Sequence, residues 1–107
     1  MPELSAEDQK LVTLARAAMA RTRADEGAAV RDLDGRTYAA AAVVLDSLRL
    51  GALEVCVAMA VTSGARGLEA AVRLGEGEPD LRAVRELGGE GVVIHLGQPG
   101  RGGSLPS

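Results

Sequence analysis

Residues 27–64 read GAAVRDLDGRTYAAAAVVLDSLRLGALEVCVAMAVTSG, and the fold depends on how this stretch divides. Asp32-Leu33-Asp34-Gly35 has turn chemistry: an Asp side chain accepts hydrogen bonds from nearby backbone, and Gly tolerates positive φ. With residues 28–31 before it and 36–45 after it, the turn predicts a β-hairpin. The Ala39-Ala40-Ala41-Ala42 run has low β-propensity and in isolation favours helix, but the preceding turn and the Val43-Val44-Leu45 ending favour strand. Asp46 and Ser47 are both N-cap residues for a helix over 48–63, which Gly64 closes. Leu50, Leu53, Cys56, Val57, Met59 and Val61 spread around most of that helix. A helix apolar nearly all round is expected to be covered by a sheet on one side and a second subunit on another.

On the N-terminal side, Ser5-Ala6-Glu7-Asp8 is a helix start, with Ser5 as N-cap and acidic residues in the first turn. Leu11, Leu14, Ala18 and Thr22 then form one helical stripe, widened by Val12, Ala15 and Met19, and the helix is expected over 6–23. On the C-terminal side, residues 67–74 read as a strand with Val72 and Leu74 on one face. Pro79 opens a short helix through Leu87 that Gly88-Gly89 stops. Residues 92–96 form a further strand. The order α-β-β-α-β-α-β predicts a three-layer α-β-α sandwich with a mixed sheet. One domain over 1–96 and a flexible tail over 97–107, G-Q-P-G-R-G-G-S-L-P-S, complete the division.

Composition narrows the function classes. With one Tyr and no Phe or Trp, the core is built from Ala, Val and Leu, which bury little area per residue, so an oligomer that hides more surface is expected. A net charge of −3 with 12 basic and 15 acidic residues interspersed gives no basic footprint for nucleic acid. The scarcity of aromatics also removes base-stacking platforms. The single Cys forms no internal disulfide, and the longest apolar run, 55–61, is too short to cross a bilayer. A soluble, cytoplasmic protein is expected.

The element order, the Ala/Arg-rich first helix and the local words Gly-Ala-Ala-Val, Asp-Gly-Arg-x-Tyr and Ala-Val-x-Ser-Gly resemble the small homotetrameric cytidine deaminases over about residues 11–96. That resemblance implies the cytidine-deaminase-like fold. It also implies a zinc site built from a Cys-Ala-Glu or His-Ala-Glu motif and a Pro-Cys-x-x-Cys motif, with three protein ligands and a Glu that shuttles protons. Counted back from Ala60-Val61-Thr62-Ser63-Gly64, the first motif falls on Gly51-Ala52-Leu53: a ligand position holds Gly51 and the proton-shuttle position holds Leu53. Pro79 matches the second motif, whose cysteine positions hold Asp80 and Ala83. The ribose-gripping Asn-x-Glu falls on Ala42 and Val44. Since the chain contains one Cys and one His, no register supplies a His/Cys/Cys or three-Cys set within a protomer.

The remaining chemistry-bearing residues have plain readings. Cys56 reads as a buried inert thiol and His95 as a partly covered strand residue. Glu54, beside the shuttle position, is a candidate displaced base. Its plainer reading is a charge paired with Arg49 or another Arg. Asp80 reads as a helix-start carboxylate, and the Gly75-x-Gly77 and Gly88-Gly89-x-Gly91 segments lack a phosphate-loop ending. Together these readings favour a non-catalytic interaction or regulatory protein, oligomeric through the helix at 48–63, with no cofactor. The alternative is an active nucleoside deaminase whose zinc site is completed atypically, by Asp80, Glu54, Cys56 or a partner subunit. A third is a small-molecule binder in the vestigial pocket.

Overall fold

The computed structural model describes residues 4–98. Helix α1 (Ala6–Thr22) starts where Ser5 accepts the Asp8 N–H at 3.1 Å, and it ends at Arg23 in the left-handed region, φ 55°. Its buried stripe, Leu11, Val12, Ala15 and Ala18, follows the expected helical spacing. The hairpin is formed by β1 (Gly27–Asp32) and β2 (Thr37–Ala41), paired antiparallel across a turn in which Gly35 has φ 88°. Asp32 organises that turn. Its Oδ1 accepts the N–H groups of Asp34 (2.9 Å) and Arg36 (3.0 Å), and its Oδ2 accepts the Tyr38 hydroxyl (2.8 Å) and Arg36 Nε (3.0 Å).

The expected long second strand is two pieces. Past Ala41, β1 offers no further residues to pair with, and the chain folds back on itself as β3 (Val43–Val44) against β4 (Arg49–Leu50). Leu45 N–H donates to the Leu48 carbonyl at 2.9 Å, so Asp46 and Ser47 serve the turn of this small hairpin and do not cap a helix. Helix α2 accordingly covers Ala52–Thr62, and the expected start at Leu48 is corrected. After β5 (Leu68–Leu74), helix α3 (Arg82–Gly88) begins later than Pro79, because Asp80 Oδ1 takes the Arg82 N–H at 3.0 Å in a local turn of its own. Strand β6 (Val93–Gly97) includes Gly97, which is buried and therefore belongs to the sheet and not to the tail. Residues 99–107 of that expected tail lie outside the described residues.

The four-stranded sheet runs β2-β1-β5-β6, antiparallel except for β5 with β6, and is therefore mixed. One face is closed by α1 over Ala29, Ala70, Val72 and Leu74; the other is closed by α2 and α3 over Ala28, Val30 and Ala71. This is the three-layer sandwich expected from the element order. Alanines at the layer contacts allow close approach, and Gly27 shows how close: a Cβ there would lie 2.5 Å from the Ala15 carbonyl oxygen, a backbone atom. Gly27→Ala is therefore expected to cost about 1–3 kcal/mol, the scale of overpacking a filled core. A lowered urea midpoint at unchanged slope is the measurement that checks it.

Candidate functional site

The residues singled out around 51–54 and 80–83 meet at the start of α2. Gly51 is the N-cap, extended at φ −69° and ψ 160°, and its own N–H donates to Glu54 Oε1 at 2.8 Å. The next N–H, on Ala52, donates to Glu26 Oε1 at 3.0 Å. Helix N-termini attract negative charge through unpaired N–H groups and the helix dipole. Here two carboxylates of the chain itself satisfy that demand.

Glu26 is held in turn by Arg73, whose Nε lies 2.7 Å from Oε2, with the Arg73 side chain only 7% exposed. The rest of the guanidinium donates to the Gly77 carbonyl at 3.0 Å and the Glu76 carbonyl at 2.9 Å, which pins the loop after β5. Neither Glu26 nor Arg73 was among the candidate residues. A charged side chain alternating with Val72 and Leu74 in a buried strand was the available signal, since a buried charge needs a partner. The partner lies 47 residues away, and no local pattern names it.

Glu54, Asp80, Arg82, Ala83 and Glu86 line a depression of about 340 Å³ between the starts of α2 and α3. Glu54 spends one oxygen on the Gly51 cap, so its hydrogen-bond partner is backbone; the arginine that feels its charge is Arg82, which lines the same depression, and not Arg49. Asp80 faces Arg82 with both oxygens, at 2.7 Å for the closest pair, and this hydrogen bonding pulls its carboxyl down to about 2. Leu53 lies in the core between the sheet and α2. Ala42 N–H donates to the Glu26 carbonyl at 3.3 Å, which places it near the same helix start, whereas Val44 on β3 is 71% exposed.

Two candidates stand apart from the depression. Cys56 is fully buried, its thiol 3.6 Å from the Tyr38 carbonyl, and burial pushes it up to about 12. It is expected to resist iodoacetamide in the native protein and to react fully in denaturant, as mass spectrometry would record. His95 lies on the α1 face of the sheet, Nε2 2.9 Å from Asp8 Oδ2; Asp8 also takes Arg31 Nη2 at 2.8 Å. Burial works against the Asp8 carboxylate, but the hydrogen bonds from Arg31 and His95 outweigh it and lower the carboxyl below its ordinary range.

A family model described as cytidine deaminase-like matches residues 4–100. The chain belongs to the cytidine deaminase-like family. No curated protein matches it. Among solved structures, cytidine deaminase from Mycobacterium tuberculosis is similar at 25% identity, with a TM-score of 0.71 over 84% of this chain and 85% of that one. Cytidine deaminase from Mycobacterium leprae is similar at 21% identity, with a TM-score of 0.71 over 86% and 89%. The enzyme from Burkholderia pseudomallei follows at 20% identity, with a TM-score of 0.71 over 89% and 86%. These likenesses establish the cytidine-deaminase-like fold.

A zinc ion is the group this family implies, and the donors at the start of α2 and α3 do not fit it. Gly51 and Ala83 carry no donor atom, and both Asp80 oxygens face the Arg82 guanidinium. Among the described residues no group of three or more His, Cys, Asp or Glu is placed to hold a metal ion. Among the same residues no helix is long and apolar enough to cross a membrane.

Proposed function

We propose that this chain is a non-catalytic member of the cytidine deaminase-like family, an interaction or regulatory protein that keeps the scaffold for assembly. The observation that carries this reading is the self-capped start of α2: Gly51 N–H on Glu54, Ala52 N–H on Glu26, and Glu26 neutralised by Arg73. In this reading the turn where a metal and its water would sit has become a packing and capping device, with Leu53 in the core. Assembly of like copies uses α2 and the β3–β4 hairpin that leads into it, where Val61 on the helix and Val44, Leu45 and Leu48 on the hairpin leave large apolar side chains exposed.

An ultraviolet assay of cytidine loss tests the reading. No turnover above the buffer rate is expected, with or without added zinc. Turnover that Glu54→Ala abolishes overturns it in favour of a second reading, an active deaminase with an atypical or partner-completed site. One observation favours that second reading: Glu54, Asp80 and Glu86 line a single depression.

A further inference from the structure

The family pattern puts one zinc ligand at position 51 and two at positions 80 and 83, so ligands there would tie the start of α2 to the approach to α3. Those positions hold Gly51, Asp80 and Ala83, which leaves the tie to other residues. Arg73 makes it. It lies on β5, an inner strand paired with β1 on one side and β6 on the other, so its backbone is fixed from both. Its guanidinium divides three ways: Nε donates to Glu26 Oε2 at 2.7 Å, Nη1 to the Gly77 carbonyl at 3.0 Å and Nη2 to the Glu76 carbonyl at 2.9 Å. The other Glu26 oxygen takes the Ala52 N–H. The first turn of α2 is thus joined, through two buried side chains of opposite charge, to the loop that leads into α3.

Two glycines leave room for this arrangement. A Cβ on Gly75 would lie 2.9 Å from Arg73 Cζ and 3.0 Å from Nη2, so the guanidinium fills the space that a side chain there would need. A Cβ on Gly51 would lie 3.5 Å from Glu54 Oε1 and 3.7 Å from Glu26 Oε1, at ordinary contact distance. The two carboxylates therefore stand where a ligand side chain at position 51 would project. A planar fork suits the task, because it bonds a carboxylate and two carbonyls at once, which the point charge of a lysine does not. We infer that Glu26 and Arg73 form a metal-independent clasp between the start of α2 and the loop entering α3, in place of the ion this family implies. The clasp rests on the non-catalytic reading and goes beyond it, since a chain can lose its ligands without gaining a substitute for the tie.

Gly75→Ala is the discriminating variant, because it alters none of the groups that bond in the clasp. Gly75 is not among the glycines with positive φ, so its backbone accepts alanine, but the added Cβ displaces the guanidinium. Amide hydrogen exchange of the whole chain is expected to quicken roughly tenfold at Ala52, the scale of one lost charge-assisted hydrogen bond, and at the start of α3 as well. Arg73→Lys is expected to act in the same direction, and it decides alone should Gly75→Ala fail to fold. Gly51→Ala is expected to leave these rates unchanged, and wild-type rates are expected to be equal in buffered zinc and in EDTA. Unchanged rates at Ala52, quickening spread equally over α1, or wild-type protection that EDTA removes each overturn the clasp. Cytidine turnover is read separately. Unchanged rates in a silent protein remove the clasp and keep the non-catalytic reading, whereas turnover removes that reading whatever the rates.

Discussion

Arg73→Met is expected to destabilise the domain by about 3–5 kcal/mol, the scale for removing one partner from a buried ion pair. The substituted side chain matches the stem of arginine in volume but leaves three acceptors behind: Glu26 Oε2 and the carbonyls of Glu76 and Gly77. Glu26 is only 18% exposed, so its uncompensated charge has little access to water. The loss also travels, because Glu26 caps the Ala52 N–H. Hydrogen exchange in the first turn of α2 is expected to quicken more than in α1, which touches neither residue's hydrogen bonds. Glu26→Gln in the same background removes the stranded charge and is expected to recover part of the loss, giving a coupling in a double-mutant cycle. Additive effects would show that the pair does not hold the site together.

Asp32→Ala is expected to cost a similar amount, about 3–5 kcal/mol, through a different mechanism. The carboxylate is 1% exposed and accepts from two backbone N–H groups, a hydroxyl and a guanidinium, so its removal orphans the whole turn between β1 and β2. Burial raises the Asp32 carboxyl, and the hydrogen bonds from Tyr38, Arg36 and Asp34 outweigh it, so the folded value is depressed. A depressed folded value stabilises fully above the unfolded one, and that stabilisation is lost as pH falls through the folded value. Asp8 has the same sign. The wild type is therefore expected to lose urea resistance in acid, and Asp32→Asn to show a flatter profile from a lower plateau. Equal slopes for the two proteins would assign the acid sensitivity to other groups.

Much of this architecture was legible locally. Ser5 before Glu7 and Asp8, the Asp32–Gly35 turn and the periodicity of Leu11, Val12, Ala15 and Ala18 each rest on contacts within a few residues, and each element formed where expected. Local reading failed where two local chemistries competed. Asp46-Ser47 suits a helix cap and a hairpin turn equally, and the short pairing of Val43–Val44 with Arg49–Leu50 decided for the turn. The same holds for Pro79, which yields the helix start to the turn that Asp80 makes with Arg82. At the site, the composition of the start of α2 was visible in Gly51 and Leu53, but its electrostatics were not. The groups that satisfy it, Glu26 and Arg73, come from the end of the α1–β1 connection and from β5, and only the folded sheet brings them together.

The chain's own carboxylates and core side chains occupy the start of α2, where this family implies a metal. Zinc content of the untagged protein, measured by plasma mass spectrometry after equilibration with buffered zinc, shows whether that helix start still takes up an ion. Zinc far below one equivalent per protomer is the predicted result. One tightly held equivalent that survives dialysis, and that Asp80→Ala or Glu54→Ala removes, would contradict it.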